Sequence, residues 1–279
     1  MKIFLTGGTG FIGSHFLKRA LAAGHTVVAT RRPGSQPKIA IGAEPNWLDK
    51  PLDVLSPIDF DGCDAVVHFA SAGVSPQKAS WAELMHWNVV ATMHLLEQAH
   101  AASVRRIVIA GTFAEYGKSA DRYERIPPDA PLLPTYAYAG SKAAAFEAAY
   151  AFALEHAIEL CYLRIFSAYG EGQYEGNFWP ALRKAALAGM DFEMTDGEQV
   201  RDYIPVERVA DVFLRALDTA RVAISQPLVC NVGSGTPVSM REFAEHWWKQ
   251  WNAKGSLLVG ALPYRANEVM HFLPVPQDF

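Results

Sequence analysis

Short blocks of consecutive apolar residues alternate along this chain with longer stretches in which apolar residues return every three or four positions. Uninterrupted blocks suit strands buried on both faces, and the wider spacing suits helices that cover them. The blocks are Ile3 to Leu5, Thr26 to Thr30, Asn46 to Val54, Ala65 to Phe69 and Arg106 to Ala110. Between the first two, Phe16, Leu17, Ala20 and Leu21 share one face of a helix that Gly24 stops. Ser80-Trp81-Ala82-Glu83 fits a capping box and opens a helix to about Ala101. At ~1.5 Å per residue that helix spans ~33 Å, with Leu84, Trp87, Val90, Ala91, Leu95 and Leu96 in one stripe. Trp81, Met85 and Met93 add apolar surface outside the stripe, which suits either a subunit interface or a deeply buried helix. Prolines forbid regular structure between Asp121 and Pro134, and a further helix starts near Tyr136. Thr195 to Val232 reads as strand, helix from Val206 to Ala220, then strand. A second capping box, Ser239 with Glu242, opens a helix whose Trp247, Trp248 and Trp251 read as core packing rather than base stacking. Strand and helix in alternation predict a doubly wound parallel sheet with a small C-terminal lobe. The expected division gives residues 1–165, joined by about 202–234, to the nucleotide-binding part, and residues 166–201 with 235–279 to the lobe.

Chemistry enters at the first turn. Ile3-Phe4-Leu5 is followed at once by Thr6-Gly7-Gly8-Thr9-Gly10-Phe11-Ile12-Gly13 and then a helix. In that order Gly7 permits a sharp turn, Gly10 lets backbone amides approach a pyrophosphate, and Gly13 lets helix and strand pack closely. The helix N-terminus then faces the anion, which marks a dinucleotide site. An acid near the end of the second strand would accept the ribose hydroxyls of NAD, but Arg31 and Arg32 stand there instead. A guanidinium suits a 2′-phosphate, so NADP(H) is expected, with NAD(H) as the alternative. The end of the third strand would place Asp53 and Val54 near the adenine. His68, inside an apolar strand, reads as a satisfied core residue. The fifth strand delivers Gly111, Thr112, Glu115 and Tyr116 to the sheet's carboxyl edge, where ligands of open α/β sheets bind. Tyr138 and Lys142 lie four residues apart on one helical face. A lysine ammonium beside a cationic nicotinamide would lower the tyrosine from its reference of ~10 towards ~7.

Composition narrows the partners. Among 279 residues, 25 basic side chains face 29 acidic ones, a net charge of −4 that creates no field for nucleic acid or an anionic membrane. No apolar run approaches ~18 residues, and a soluble cytoplasmic protein is expected. Cys63, Cys161 and Cys230 are odd in number and far apart, and the nine histidines lack HExxH and HxxEH spacing. Neither a disulfide nor a metal site is expected.

TGGTGFIG, Asn88 in WNVVATMHLLEQA, the hydroxyl residue of GTFAEYG, and YAGSK together resemble the extended short-chain dehydrogenase/reductases, more closely their NDP-sugar epimerase/dehydratase branch. The resemblance runs from Lys2 to about Glu268 and implies a Rossmann-type fold, a nucleotide-diphospho-sugar substrate and a homodimer built on the helices at 80–101 and 136–156. It implies that Thr112, Tyr138 and Lys142 are catalytic, with Tyr138 as acid/base. It also implies cofactor contacts from Thr9, Phe11, Ile12, Phe69, Ala70, Ser71, Asn88 and Phe166. Substrate contacts are implied for Ser167, in the place of a usual asparagine, and for Asn177, Arg201 and Arg265. Sugar 4,6-dehydratases of this family carry an acid two residues after the catalytic Ser/Thr, where this chain has Ala114, preceded by Phe113. Glu115 comes one residue late, and strand alternation would turn it away from the substrate. The expectation is therefore a reductase of 4-keto sugars. A 4-epimerase that retains NAD and a non-catalytic cofactor sensor are the alternatives.

Overall fold

A computed structural model describes residues 1–74, 79–218, 220–264 and 268–275. In chain order the first half comprises β1 (Lys2–Thr6), α1 (Phe11–Ala22), β2 (Thr26–Thr30), β3 (Asn46–Leu48), β4 (Ala65–His68), α2 (Trp81–Met85), α3 (Ala91–Ala101), β5 (Arg106–Thr112) and α4 (Ala137–Glu155). The second half adds β6 (Glu159–Ile165), β7 (Ser167–Tyr169), α5 (Phe178–Ala188), β8 (Phe192–Met194), β9 (Val200–Pro205), α6 (Val206–Arg215), β10 (Leu228–Val232), β11 (Pro237–Ser239), α7 (Met240–Gln250), β12 (Leu257–Val259) and β13 (His271–Phe272).

Among the described residues, seven strands form one parallel sheet in the order β10-β6-β5-β4-β1-β2-β3. This is the doubly wound, Rossmann-type sheet that the apolar blocks predict. Ile3, Leu5, Val67 and Val108 point to one face, against Phe16 and Leu17 of α1 and Val209 and Phe213 of α6. Phe4, Val66, Ile107 and Ile109 point to the other, against Leu95 and Leu96 of α3 and Phe152 of α4. Strand order reverses beside β1, so the crevice at its carboxyl end lies where open sheets bind ligands. β7, β9, β11 and β13 make a second, smaller sheet, while β8 pairs with β12. Leu182, Met194 and Ala244 form a separate core there, packed by Trp247, Trp248 and Trp251, in line with the core reading of the tryptophans.

Four elements differ from the sequence pattern, one of them the helix from Val206, which ends at Arg215 rather than Ala220. β3 stops at Leu48, and Asp53 and Val54 lie on a single 3-10 turn beyond Pro51, which supplies no N–H to a ladder. The expected helix from Ser80 to Ala101 forms with its Ser80–Glu83 capping box, but His86–Val90 is a π turn. β5 ends at Thr112 and residues Phe113–Tyr116 are 3-10, so strand alternation does not govern where Glu115 points.

Candidate active site

The glycine turn fits a dinucleotide for reasons visible in its packing. Gly7 has φ of 70°, and a Cβ there would lie 2.6 Å from the Ala70 nitrogen. A Cβ on Gly13 would lie 2.1 Å from the Gly7 carbonyl oxygen, so α1 reaches the turn only because Gly13 is bare. Gly10 offers no side-chain cap and the first turn of α1 holds no acid, leaving backbone N–H groups for an anion. Across the turn, Phe69 and Ala70 donate their N–H groups to the Thr6 carbonyl and hydroxyl, each at 3.2 Å. The turn at Gly7 therefore packs directly against Phe69 and Ala70. Beneath them His68 is fully enclosed, with Nδ1 2.7 Å from the Thr6 hydroxyl and Nε2 3.1 Å from that of Thr92. Burial, helped by Lys142, lowers its pKa to about 3. A neutral ring with its proton on Nε2 satisfies both contacts.

At the carboxyl end of β5, Thr112 caps the 3-10 turn, its hydroxyl accepting from the Ala114 N–H at 3.3 Å. α4 carries half-buried Tyr138 and, one turn on, buried Lys142, whose Nζ donates to the Ala110 carbonyl at 2.9 Å. The chain's own groups, apart from the nicotinamide charge that the expectation includes, act in the opposite direction. Burial and then the Glu115 charge push the Tyr138 phenol well above its ordinary value, against a hydrogen bond with Ser71. The lysine does not offset this, because its ammonium is turned to Ala110 and burial holds Lys142 itself below the usual value.

Asn88 is 1% exposed and serves as a pin. Its Oδ1 accepts from the Ala72 N–H at 2.7 Å and the Ser71 hydroxyl at 3.1 Å. Its Nδ2 donates to the Ala72 carbonyl at 3.1 Å and the Ser141 hydroxyl at 2.9 Å. All four bonds go to protein and tie the chain after β4 to α4. The π turn sits around this residue, as such turns often do near functional sites.

Sequence reasoning missed a buried network beside this cluster. Glu115 accepts from the Thr112 N–H at 2.9 Å, the Tyr162 hydroxyl at 2.8 Å and Arg164 Nε at 2.6 Å. Arg164 also donates to the Pro128 carbonyl at 2.8 Å and stacks 4.2 Å from the Phe146 ring centre. The carboxylate thus faces inward, committed to its partners. Arg164 stands two residues before Phe166, and its strand position among apolar neighbours was the available signal.

The remaining candidates fall in several places. Arg31 follows β2, with Nε 2.7 Å from Asp49 Oδ1, and Arg32 beside it is exposed. Asp53 lies 3.3 Å from His86 Nε2, while Val54 is exposed. Phe166 is buried against Phe113 and Phe272. Ser167 begins β7, and Asn177 stands at the N-terminus of α5 without capping it through its side chain. Arg201, on β9, does not point free into solvent. It pairs with Glu268 at 2.9 Å and donates to the carbonyls of Val269 and Met270 at 2.6 and 3.2 Å. Arg265 lies outside the described residues.

A glycine cradle at the switch point of a parallel sheet, next to a Thr, Tyr and Lys cluster, defines a nucleotide-dependent α/β protein. Residues 3–233 match the NAD dependent epimerase/dehydratase family, and the chain belongs to that family. It is similar to a UDP-glucose 4-epimerase of Corynebacterium glutamicum, 29% identical over 271 residues that cover 88% of this chain and 79% of that one. It is also similar to the CDP-abequose synthase of Salmonella muenchen, 25% identical over 272 residues covering 96% and 87%. Among solved structures it resembles MoeE5 in complex with UDP-glucuronic acid and NAD, with a TM-score of 0.85, 28% identity and coverage of 99% and 90%. Among the described residues, no helix is long and apolar enough to cross a membrane, and no group of three or more His, Cys, Asp or Glu is arranged to hold a metal.

Proposed function

We propose that this chain reduces a 4-keto nucleotide-diphospho-sugar, with NADPH as the hydride source and Tyr138 as the proton donor. The observation that carries the reading is the Arg31-Arg32 pair directly after β2, together with Phe113 and Ala114 where a dehydratase acid would stand. Burial and Glu115 push the Tyr138 phenol upward, a direction that suits a proton donor to an alkoxide developing on the sugar. A 4-epimerase begins instead by taking a proton from a hydroxyl. When bound, the reduced nicotinamide supplies the hydride. Thr112 orients the sugar oxygen by hydrogen bonding and Tyr138 gives it a proton, with Lys142 fixed one helical turn away by the Ala110 carbonyl. Asn88 and Ser141 hold α4 against the chain after β4, so the phenol keeps its place. Ala114 and Phe113 bring no acid for eliminating water, which disfavours dehydration. Ser167, Asn177, Arg201 and Arg265 are the substrate-side residues on this reading, Arg201 exchanging part of its bonding to Glu268 for diphosphate oxygens.

Retained NAD and 4-epimerisation form the second reading. The Arg31–Asp49 pair favours it, since a neutralised arginine attracts a 2′-phosphate less. Similarity to a UDP-glucose 4-epimerase supports it as well. Replacing Tyr138 by Phe tests the principal reading. Turnover of a 4-keto nucleotide sugar should fall by about 10² to 10⁴, with NADPH affinity nearly unchanged; turnover within a few fold of wild type would defeat it.

The same reading makes the protein a cytoplasmic homodimer. Trp81, Met85 and Val90 along the α2–α3 helix and Leu154 on α4 are exposed apolar side chains, which supports pairing through those helices. Sedimentation at micromolar concentration should give twice the 30.6 kDa chain mass; a 30.6 kDa species would count against it.

A further inference from the structure

Arg31 and Asp49 are the first residues beyond β2 and β3, and Thr30 pairs with Leu48 in the register of those strands. The Arg31 N–H donates to the Leu48 carbonyl at 3.0 Å, so the two side chains leave the sheet from neighbouring positions. Arg31 Nε then donates to Asp49 Oδ1 at 2.7 Å. Its guanidinium carbon lies 4.7 Å from the centre of the Trp47 ring, and Trp47 Nε1 donates to Glu44 Oε2 at 2.6 Å. The arginine is 19% exposed and the aspartate 50%. A carboxylate on one side and an indole on the other thus fix the guanidinium at the edge of the cleft nearest β2.

We infer that Asp49, through its grip on Arg31, is the residue that sets discrimination between NADP(H) and NAD(H). The inference rests on reading the glycine cradle as a nicotinamide-dinucleotide site, and the cradle fits one by the packing of Gly7 and Gly13. A carboxylate against Nε cancels most of the field that Arg31 would present to an approaching anion, and its half-exposed charge repels a phosphate directly. Ribose hydroxyls meet the opposite situation, because they donate hydrogen bonds and an ionised carboxylate only accepts them. Arg31 and Arg32 draw a 2′-phosphate while Asp49 opposes it, so preference is set by the balance of three side chains rather than by the arginines alone. Restraint by Asp49 also accounts for an arginine pair in a chain similar to MoeE5, whose structure holds NAD.

The test is equilibrium titration of the whole protein with NADPH and with NADH, followed by quenching of tryptophan fluorescence, which needs no turnover. Asp49→Asn keeps the size of the side chain and removes its charge; it should raise the NADPH:NADH affinity ratio about tenfold. Arg31→Ala should lower the ratio, and Asp49→Asn should have a clearly smaller effect in the Arg31→Ala background, because most of its action runs through the pair. Asp49→Ser, also uncharged, should reproduce the Asn result if Asn folds poorly. A ratio within twofold of wild type in both uncharged variants overturns the inference while leaving the proposed function in place. So does an undiminished Asp49→Asn effect without Arg31. If neither nucleotide binds the wild-type protein, both readings fall.

Discussion

Glu115 and Arg164, on the β5–β6 side of the sheet's carboxyl edge, are 0% and 1% exposed in their side chains, whereas Arg31 and Asp49, on the β2–β3 side, are 19% and 50% exposed. Both pairs are close, at 2.6 and 2.7 Å, so geometry alone does not distinguish them. Solvent does. The buried pair has lost its hydration, and its charges are tolerable only because Tyr162, the Thr112 N–H and the Pro128 carbonyl complete their bonding. It acts as a fixture that holds Thr112 and biases Tyr138. The half-exposed pair keeps water as an alternative partner, so a ligand can take over part of it at modest cost. The β5–β6 side is thus held rigidly, and the β2–β3 side is open to adjustment by single substitutions; under the proposed function these are the reaction and adenosine ends.

The largest effect should come from breaking the buried pair. Glu115→Ala leaves the Arg164 guanidinium without its counter-charge and should cost about 3–5 kcal/mol by urea denaturation. Adding Arg164→Met should recover most of that loss. A single-variant cost below about 1 kcal/mol, typical of an exposed pair, would erase the distinction.

An intermediate effect concerns pH, through His68 on the same buried side. Its pKa is about 3 in the folded chain against 6.5 for a free ring, so the unfolded chain binds the extra proton between those values. Stability from the neutral ring is full above pH 6.5 and is lost as pH falls towards 3, by up to ~1.4 kcal/mol per pH unit. His68→Asn should remove that part of the slope between pH 6.5 and 5. An identical slope in variant and wild type would mean that His68 is not the group responsible.

The smallest effect on stability belongs to the exposed side. Asp49→Asn should change unfolding free energy by less than about 1 kcal/mol, even as it shifts the nucleotide ratio. A loss as large as that from Glu115→Ala would make Asp49 structural and collapse the contrast.

The parallel sheet and the glycine turn were legible because both rest on local rules. Apolar blocks mark buried strands, and Gly7, Gly10 and Gly13 answer to backbone space alone. Tyr138 and Lys142 were legible as a pair through helical spacing, but their electrostatics were not. These depend on Glu115, 23 residues earlier in the chain, and on the direction in which the lysine turns. Asp49 was hidden by an overlong third strand, although Asp49-Lys50-Pro51 directly after Trp47-Leu48 already signals its end. Arg201 was visible as a candidate, but its pairing with Glu268 is a tertiary fact that no spacing could supply.

The most direct test of the account is the fate of the hydride. The protein is given NADPH carrying deuterium at the transferable position together with a 4-keto nucleotide-diphospho-sugar. The account predicts one equivalent of NADPH oxidised per product formed, with the deuterium bound at C4 of the sugar. No oxidation of NADPH and no deuterium transfer in that mixture, with conversion of a 4-hydroxy nucleotide-diphospho-sugar to its C4 epimer in a parallel assay, would contradict it and make the protein an epimerase.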